Sequence, residues 1–396
     1  MNSAFKNSLV LLSCLLLLLA GCVTISNETA PEPAAKPELS PEEKQAAAIQ
    51  KQIAATSLEE KVSQLFFVTP EALTSAWPVT EVNEELQTAL QETPPGGIIL
   101  FASNITGEDQ LKAFLKDMKQ TAKTPLLTGI DEEGGPLVAR IANSGLIDVP
   151  AVSSMYEIGQ TGDPANAAAA GKTIGTYLHE LGFSLDFAPD ADVLVDPNNV
   201  EIGSRSFGED PQLVAQMAWA YAEALEKEGV LPCYKHFPGL GATSGTDSHY
   251  GTEIIERTEE QMKQSEWVPF EKGIQEGVPF IMVGHLSVPQ LTGNNVPASL
   301  SKTVISDILR DQLGFKGVVI TDSLQMGAIV DNYGDEAALQ AFESGADLLL
   351  MPQNLEASRQ AILEAVQNGE LEESRIDESL QRIFKAKAEA GLLSFS

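Results

Sequence analysis

Residues 317–323 read GVVITDS, a short apolar run that ends in a carboxylate and a hydroxyl. Seven further runs of this kind occur along the chain, each separated from the next by an amphipathic, helix-like stretch. They are SQLFFVT (63–69), GGIILFAS (96–103), PLLTGID (125–131), FSLDFAPDADV (183–193), VLPCYKHF (230–237), PFIMVGH (279–285) and ADLLLMP (346–352). Near-continuous apolar runs are typical of parallel strands buried on both faces. Eight strands alternating with helices predict an α/β fold, a (β/α)8 barrel of the TIM type, with a doubly wound open sheet as the alternative.

The helices between these strands have clear limits in the sequence. Residues 211–228 carry an apolar side chain at every fourth position and are followed by Gly229, a typical C-terminal stop. Residues 301–313 begin at a capping serine and have their apolar side chains on one face. The last such stretch, residues 374–391, predicts a terminal helix that closes the barrel.

The first 21 residues are predicted to be a lipoprotein signal peptide. Lys6 supplies the positive start, and the apolar run over residues 9–20 is too short to cross a bilayer core of about 30 Å. The run ends in Leu19-Ala20-Gly21-Cys22, which resembles a bacterial lipobox. Cleavage before Cys22 would leave its thiol for lipid attachment, whereas an ordinary secreted protein with a chance cysteine is the alternative.

Residues 22–45 are predicted to be the lipidated cysteine and a flexible tether, because they are rich in Pro, Glu, Ala, Ser and Thr. The barrel domain is expected over residues 46–396. The protein would then hang from the cell membrane on its extracytoplasmic face, and we expect a monomer. Of the three cysteines, Cys233 lies in an apolar run and is expected to be buried, so no disulfide framework is predicted.

The charge of the chain argues against nucleic acid as a partner. Asp and Glu number 56 against 25 Lys and Arg, which gives a formal charge of −31. Phosphate backbones attract Lys and Arg, so a chain this acidic binds them poorly.

Ionisable side chains lie at the ends of five consecutive predicted strands, the third to the seventh. The third ends in Asp131-Glu132-Glu133, the fourth in Asp190 and Asp192, the fifth in Lys235-His236, the sixth in His285 and the seventh in Asp322. Barrel enzymes carry their active sites at this end of the strands, and buried charge is costly without a function. His179 lies in a helical stretch and is expected to be structural, and the three tryptophans, Trp77, Trp219 and Trp267, are expected to serve packing.

Common metal and cofactor motifs are missing from the sequence. It contains no HExxH, CxxC or EF-hand pattern, no phosphate-binding loop and no Gly-x-Ser-x-Gly elbow. We therefore expect neither a metal nor a cofactor. Carboxylates at the mouth of a barrel suit a sugar, because they accept from hydroxyls and can attack an oxocarbenium-like carbon. Asp247-Ser248-His249, in a glycine-rich loop, supplies a candidate acid/base.

Several of these segments together resemble glycoside hydrolase family 3, especially its short β-N-acetylglucosaminidases. The most specific are KHFPG (235–239), DSH (247–249) and IGSRSFG (202–208), supported by FAP (187–189), PASLS (297–301) and GFKGVVITD (314–322). The resemblance implies that Asp322 is the nucleophile, His249 the acid/base and Asp247 its partner. It also implies that the sugar is bound by Asp131, Arg140, Arg205, Lys235 and His236.

The resemblance implies a retaining exo-β-N-acetylglucosaminidase that acts on cell-wall glycans or muropeptides. About 45 residues follow residue 352, too few for the extra α/β domain of the larger β-glucosidases of this family. A phosphorylase or β-glucosidase of the same family, and a sugar-binding lipoprotein without catalysis, remain alternatives. The sequence departs from the family pattern at Leu240, Ala242 and Thr246, at Pro136-Leu137, and at Asp190, which could be an added sugar contact or a source of repulsion near Asp322.

Overall fold

The computed structural model describes residues 39–243, 251 and 253–393. Within these residues, all eight predicted strands are present and form one parallel sheet, and two further strands form an antiparallel hairpin after the third. In chain order the strands are β1 (Phe66–Val68), β2 (Gly97–Ile99), β3 (Leu127–Ile130), β4 (Glu132–Gly134), β5 (Val138–Ala139), β6 (Leu185–Asp186), β7 (Leu231–Phe237), β8 (Phe280–Val283), β9 (Val318–Thr321) and β10 (Leu349–Leu350).

The eight-stranded sheet closes into a barrel. The first strand pairs in parallel with the last, with Phe66 opposite Leu349. On the other side of β10, a parallel bridge joins Leu348 to Ile320 of β9, and the Leu348 N–H donates to the Val319 carbonyl at 3.0 Å. The predicted (β/α)8 barrel is therefore confirmed, and the alternative of an open sheet is wrong.

The strands are connected by helices, fourteen of them α-helices within the described residues. They are α1 (Pro41–Ala54), α2 (Leu58–Ser63), α3 (Glu84–Glu92), α4 (Glu108–Thr121), α5 (Met155–Gly159), α6 (Pro164–Leu181), α7 (Pro211–Lys227), α8 (Glu259–Gln264), α9 (Trp267–Glu276), α10 (Pro289–Thr292), α11 (Gly327–Val330), α12 (Ala337–Ser344), α13 (Leu355–Gln367) and α14 (Glu373–Glu389). The predicted helix over 211–228 is α7, and Asp210 caps it by accepting from the Gln212 N–H at 2.9 Å. The predicted helix over 301–313 is a π-helix, Thr303–Gln312.

Aromatic side chains fill the barrel interior. The rings of Phe67 and Phe187 meet edge to face at 5.3 Å between centroids. A Cβ atom on Gly97 would lie 2.1 Å from the Phe67 ring, and one on Gly129 would lie 2.9 Å from the Phe187 ring. Glycine is needed at both positions because the rings occupy the space that a side chain would take.

The predicted terminal helix, α14, is tied to the barrel through Asp347. This carboxylate is fully buried at the start of the last strand and accepts from the Val319 N–H at 2.9 Å and the Ser379 hydroxyl at 2.7 Å. Arg310 pairs with one of its oxygens and Arg382 with the other. Burial raises the pKa of Asp347. The arginines Arg310, Arg382 and Arg375 and the hydrogen bond from Ser379 lower it by more, so the net shift is downward.

The compact unit of the barrel begins at Pro41. The start predicted for the domain, residue 46, falls inside α1, whose Ile49 and Ile53 are buried. The start of this helix is rich in polar side chains, so its composition resembles that of a flexible tether. It forms a helix because Glu, Lys, Gln and Ala are strong helix formers. No described helix has both the length and the apolar character that crossing a membrane requires.

Candidate active site

A cavity of about 380 Å³ lies at the carboxyl ends of the barrel strands. All six candidate site residues within the described part of the chain line it: Asp131, Arg140, Arg205, Lys235, His236 and Asp322. Strand ends that are far apart in sequence are adjacent here because the carboxyl ends of parallel strands meet at one end of a barrel. The volume lies in the range of about 300–1,000 Å³ that is usual for small-molecule sites.

Asp322 follows β9 directly and is partly exposed to the cavity. Its backbone N–H donates to the Val283 carbonyl at 2.9 Å, which continues the pairing of β8 and β9. One carboxylate oxygen accepts from the Ser323 N–H at 2.7 Å. Burial raises the pKa of Asp322, but its electrostatic interactions with His285, His236 and Lys235 and this hydrogen bond lower it by more. The pKa is therefore below the ordinary aspartate value, and the group is an ionised carboxylate near neutral pH.

His285 supports the loop that carries Asp322 from behind. The imidazole is buried, with Nε2 lying 2.8 Å from the Ser323 carbonyl oxygen and Nδ1 lying 2.7 Å from the Ser299 hydroxyl. Since a carbonyl only accepts, Nε2 carries the hydrogen and Nδ1 accepts from Ser299. Burial lowers the pKa of His285, in agreement with a neutral ring. His285 therefore acts in hydrogen bonding behind the cavity.

Lys235 neutralises two carboxylates at the cavity wall. Its ammonium nitrogen lies 2.8 Å from Asp131 Oδ1 and 2.6 Å from Glu133 Oε1, and its side chain is almost completely buried. Burial lowers the pKa of Lys235, but the two carboxylates raise it by more. The ammonium is therefore charged, and Asp131, at the cavity, keeps acceptor positions for other donors.

Arg205 contacts the same carboxylate as Lys235, that of Glu133. Its Nε and Nη2 donate to the two oxygens of Glu133 at 2.9 and 2.8 Å, a two-point contact. Glu133 is fully buried; burial raises its pKa, but Arg205 and Lys235 bring it down to about 2. Glu133 was not among the predicted site residues, although it stands in the run Asp131-Glu132-Glu133. It couples the two cations and fixes their positions at the cavity.

His236 is oriented by Asp192. The ring Nδ1 lies 2.7 Å from Asp192 Oδ2, which also accepts from the His236 backbone N–H at 3.1 Å. Burial lowers the pKa of His236, but Asp192 raises it by more. The other ring nitrogen, Nε2, lies 3.3 Å from Arg205 Nη2. Asp192 thus sets the tautomer and the charge of His236, a role that sequence reasoning did not assign to it.

Asp190 lies behind the cavity and does not line it. The side chain is fully buried, accepts from the Asp192 N–H at 2.9 Å and lies 3.5 Å from Arg205 Nε. Burial, with the charge of Asp192, raises the pKa of Asp190 to about 8. Of the two roles considered for Asp190, a direct sugar contact does not fit this position, because no surface of its carboxyl reaches the cavity.

Asp190, Asp192 and His236 each place one potential metal ligand atom within 4.8 Å of the others. Both oxygens of Asp192 already accept hydrogen bonds, Oδ1 from the Leu240 N–H at 2.7 Å and Oδ2 from His236. The Arg205 guanidinium lies against Asp190. A cation there would have to displace these donors and lie beside another cation, so the cluster fits a hydrogen-bonded support for His236 better than a metal site.

Arg140 reaches the cavity from the hairpin of β4 and β5. Its backbone N–H donates to the Asp131 carbonyl at 3.3 Å, and its guanidinium lies over the Phe101 ring at 5.6 Å from the centroid. Its Nε is buried and makes no hydrogen bond within the described residues. The longer turn at Pro136-Leu137 is accommodated at the tip of the hairpin, so Arg140 keeps a place at the cavity wall.

Comparison with known families agrees with this geometry. The model for the glycosyl hydrolase family 3 N-terminal domain matches residues 57–386. The chain belongs to glycosyl hydrolase family 3. The resemblance to this family, inferred from the motifs, is thereby confirmed.

Relatives within family 3 carry names of one kind. Beta-hexosaminidase A of Pseudoalteromonas piscicida is 31% identical over 339 residues, which cover 78% of this chain and 56% of that protein. Beta-hexosaminidase LpqI of Mycobacterium tuberculosis is 37% identical over 272 residues, covering 66% of this chain and 68% of that one. A family 3 β-N-acetylglucosaminidase structure from a Paenibacillus species superposes with a TM-score of 0.80 and 34% identity, covering 86% of this chain and 65% of that one. The chain thus spans little more than half of the first relative.

Two predicted catalytic residues of this family 3 barrel, Asp247 and His249, lie outside the described residues, as does the predicted lipidation site, Cys22. The chain on either side of residues 244–250 is anchored at the mouth. Thr243 accepts from Asn199 Nδ2 at 2.9 Å, and the Glu253 carbonyl accepts from the Ser287 N–H at 2.6 Å.

The wall beside Asp322 is rich in methionine, which sequence reasoning did not anticipate. Met282 comes from β8, Met326 from the loop after β9 and Met351 from the residue after β10. Met351 has a φ of +47°, a left-handed conformation that is rare for a residue with a side chain and is concentrated at functional sites. The cavity therefore has a charged side and a soft apolar side.

The remaining sequence expectations concern packing. Cys233 is buried and free, as predicted. Trp267 is fully buried, and Trp219 packs against the core. Trp77 is 76% exposed, in the loop after β1, and it does not line the cavity.

Proposed function

We propose that the protein is a retaining, exo-acting β-N-acetylglucosaminidase that removes terminal β-linked N-acetylglucosamine. The observation that carries the proposal is the ionised carboxylate of Asp322 at the cavity, facing a wall of donors and acceptors that includes Asp131 and Lys235. The hexosaminidase names of the relatives support the N-acetylated sugar. The family signature around Asp322 supports its role as nucleophile.

In the first step, a carboxylate oxygen of Asp322 bonds to the anomeric carbon while the bond from that carbon to the leaving oxygen breaks. His249, which belongs to the motif DSH (247–249), donates a proton to the leaving oxygen. In the second step, His249 takes a proton from water, the water oxygen bonds to the anomeric carbon, and Asp322 is released. Two inversions give overall retention of configuration.

The charged wall suits the hydroxyl groups of a terminal sugar. Asp131 offers carboxylate oxygens as acceptors, while Arg140 and His236 offer nitrogen atoms at the same cavity. Because Glu133 neutralises Lys235 and Arg205 from behind, the wall presents fixed dipoles and charges before a sugar arrives. Such preorganisation lowers the reorganisation that binding and reaction require.

Trapping tests the proposal directly. A fluorinated N-acetylglucosamine analogue with a good leaving group should form a stable glycosyl-enzyme, and peptide mapping should find the label on Asp322. A label on another residue would contradict the mechanism.

The preference for an N-acetylated sugar is tested with two chromogenic substrates, an aryl β-N-acetylglucosaminide and the corresponding aryl β-glucoside, by comparing the rates at which their sugars are released. A sugar 1-phosphate formed only when phosphate is added would show a phosphorylase, and no turnover of either substrate would favour a binding protein.

We also propose that the protein is anchored by lipid at Cys22 outside the cytoplasmic membrane, where it would meet cell-wall glycans and muropeptides. The support is the sequence Leu19-Ala20-Gly21-Cys22 after an apolar run. Expression in bacteria with labelled fatty acid should label the wild type but not the Cys22→Ala variant, whereas Cys14→Ala should leave the label unchanged. A wild-type protein without label would contradict the anchor.

A further inference from the structure

Glu132 is a buried carboxylate that the proposed mechanism does not use. It lies between Asp131 and Glu133, both of which face Lys235. Successive side chains of an extended strand point to opposite sides, so Glu132 points away from that cation. Its side chain is completely buried.

Three donors converge on the Glu132 carboxylate. The Ile141 N–H donates to Oε2 at 2.7 Å, the Ala142 N–H donates to Oε1 at 3.0 Å, and the Tyr177 hydroxyl donates to Oε1 at 2.8 Å. Tyr177 belongs to α6, which lies outside the hairpin. The carboxylate therefore ties the chain that leaves the hairpin to a helix of the barrel wall.

The hydrogen bonds to Glu132 fix the backbone next to Arg140. The Ile141 N–H belongs to the same peptide unit as the Arg140 carbonyl, so the peptide that follows Arg140 is fixed by Glu132. The peptide that precedes it is fixed by the Arg140 N–H, which donates to the Asp131 carbonyl at 3.3 Å. The Glu132 N–H in turn donates to the buried Asp186 at 2.9 Å. The backbone of Arg140 is thus held on both sides.

We propose that Glu132 is a positioning residue for Arg140, and that its carboxylate keeps the guanidinium at the cavity wall through the Ile141 and Ala142 peptides and Tyr177. The inference rests on the proposed function in one respect, namely that Arg140 contacts the sugar. Without the three hydrogen bonds, the segment after the hairpin would be free to shift, and Arg140 would lose its fixed place.

The variant Glu132→Gln tests this with little change of shape. An amide replaces one acceptor oxygen by a donor, so one of the three donors loses its partner. We expect KM for a chromogenic aryl β-N-acetylglucosaminide to rise about tenfold, with kcat changed by less than about threefold. Tyr177→Phe, which removes one donor, should change KM in the same direction by a smaller factor and is the second variant if Glu132→Gln does not fold. Thr176→Val, the loss of a neighbouring hydroxyl on α6, is the matched control and should leave KM unchanged.

A double-mutant cycle separates positioning from general loss of stability. If Glu132 acts through Arg140, Glu132→Gln should change KM about tenfold in the wild type but less than about twofold in an Arg140→Ala background. Equal effects in the two backgrounds would overturn the proposal, as would an unchanged KM in both Glu132→Gln and Tyr177→Phe.

Amide hydrogen exchange of the segment 140–145 gives a readout independent of activity. Exchange there should be faster in Glu132→Gln and Tyr177→Phe than in the wild type or Thr176→Val. A wild-type protein that does not turn the substrate over would contradict the proposed function alone, and the exchange rates would then decide whether Glu132 holds the segment. Unchanged exchange in both variants would overturn the proposal.

Discussion

Arg205 holds Glu133 by two hydrogen bonds, from Nε to Oε2 at 2.9 Å and from Nη2 to Oε1 at 2.8 Å. The same carboxylate lies 2.6 Å from Lys235. One buried anion therefore stands between two buried cations, and all three are fixed at the cavity. Removing that anion would leave two cations without their common partner, which is more costly than losing a surface pair.

Glu133→Gln should therefore lower kcat/KM for the aryl N-acetylglucosaminide by about a hundredfold, because Lys235 and Arg205 would lose the anion that fixes their positions at the cavity. Steady-state kinetics with wild type and variant measure this. Glu259→Gln, on the exposed surface of α8, is the control. An effect below about threefold would contradict the role assigned to Glu133.

Asp322→Asn should lower kcat by about a thousandfold or more, since an amide cannot form the acylal bond to the anomeric carbon. The substitution keeps the shape, and the hydrogen bond from the Ser323 N–H can be made by the amide oxygen. Asp335→Asn, at an exposed site, should leave kcat unchanged. Substantial turnover by Asp322→Asn would exclude Asp322 as the nucleophile.

The pKa of His236 should fall in Asp192→Asn. Asp192 raises that pKa through a hydrogen bond and its charge, whereas burial and the charge of Arg205 lower it, so removing the Asp192 charge shifts the balance downward. Asp190→Asn should lower it less, because Asp190 has a smaller raising effect on His236 than Asp192. The chain has four histidines, so an NMR titration of labelled imidazoles can follow each one. Equal shifts in the two variants would contradict this account.

Asp347→Asn should destabilise the fold by about 3 kcal/mol at pH 7, because it leaves Arg310 and Arg382 without their buried anion. The pKa of Asp347 is lowered in the folded state, so its contribution is complete above the unfolded value of about 3.9 and is lost as the pH falls through the folded value. Urea unfolding at pH 7 and pH 3 should therefore show a smaller difference between wild type and variant in acid. Asp311→Asn, at an exposed site, is the control.

Lys387→Met should stabilise the protein, most clearly in acid. Lys387 is fully buried on α14, with its ammonium nitrogen 2.5 Å from the Gln64 side-chain oxygen. Burial lowers its pKa to about 7, whereas the unfolded value is about 10.4. Between these values the unfolded chain binds the extra proton, so the free energy of unfolding of the wild type rises with pH.

The increase in the free energy of unfolding caused by Lys387→Met should therefore be largest below pH 7 and smallest above about pH 10. Thermal or urea unfolding across this range measures it. Lys385→Met, an exposed position on the same helix, should show no such pH dependence. A gain that does not change with pH would contradict a lowered pKa for Lys387.

Most of the fold could be predicted from local patterns of apolar residues in the sequence. Every predicted strand is present because each is a short apolar run. Four residues, Asp131, Lys235, His236 and Asp322, meet because each lies at the carboxyl end of such a run. Patterns of side chains could not distinguish the π-helix Thr303–Gln312 from an α-helix, since both present an apolar face.

The sequence alone could not show which side chains, far apart in the chain, contact one another. Asp131, Glu132 and Glu133 are adjacent carboxylates, yet they differ in role because their partners are Lys235, Tyr177 and Arg205, far away in the chain. The alternation of an extended strand could have separated Glu132 from its neighbours, but it could not have named those partners.

Closure of the barrel has a consequence for biosynthesis. The last strand pairs with the first, and Asp347 beside it is neutralised by Arg310 and by Arg382 of α14. While the chain is still emerging from the ribosome, β1 lacks one of its two partner strands, β10, until almost the whole polypeptide has been translated. The nascent protein therefore carries an open sheet edge for most of its synthesis, which is the stage at which chaperones have the most to protect.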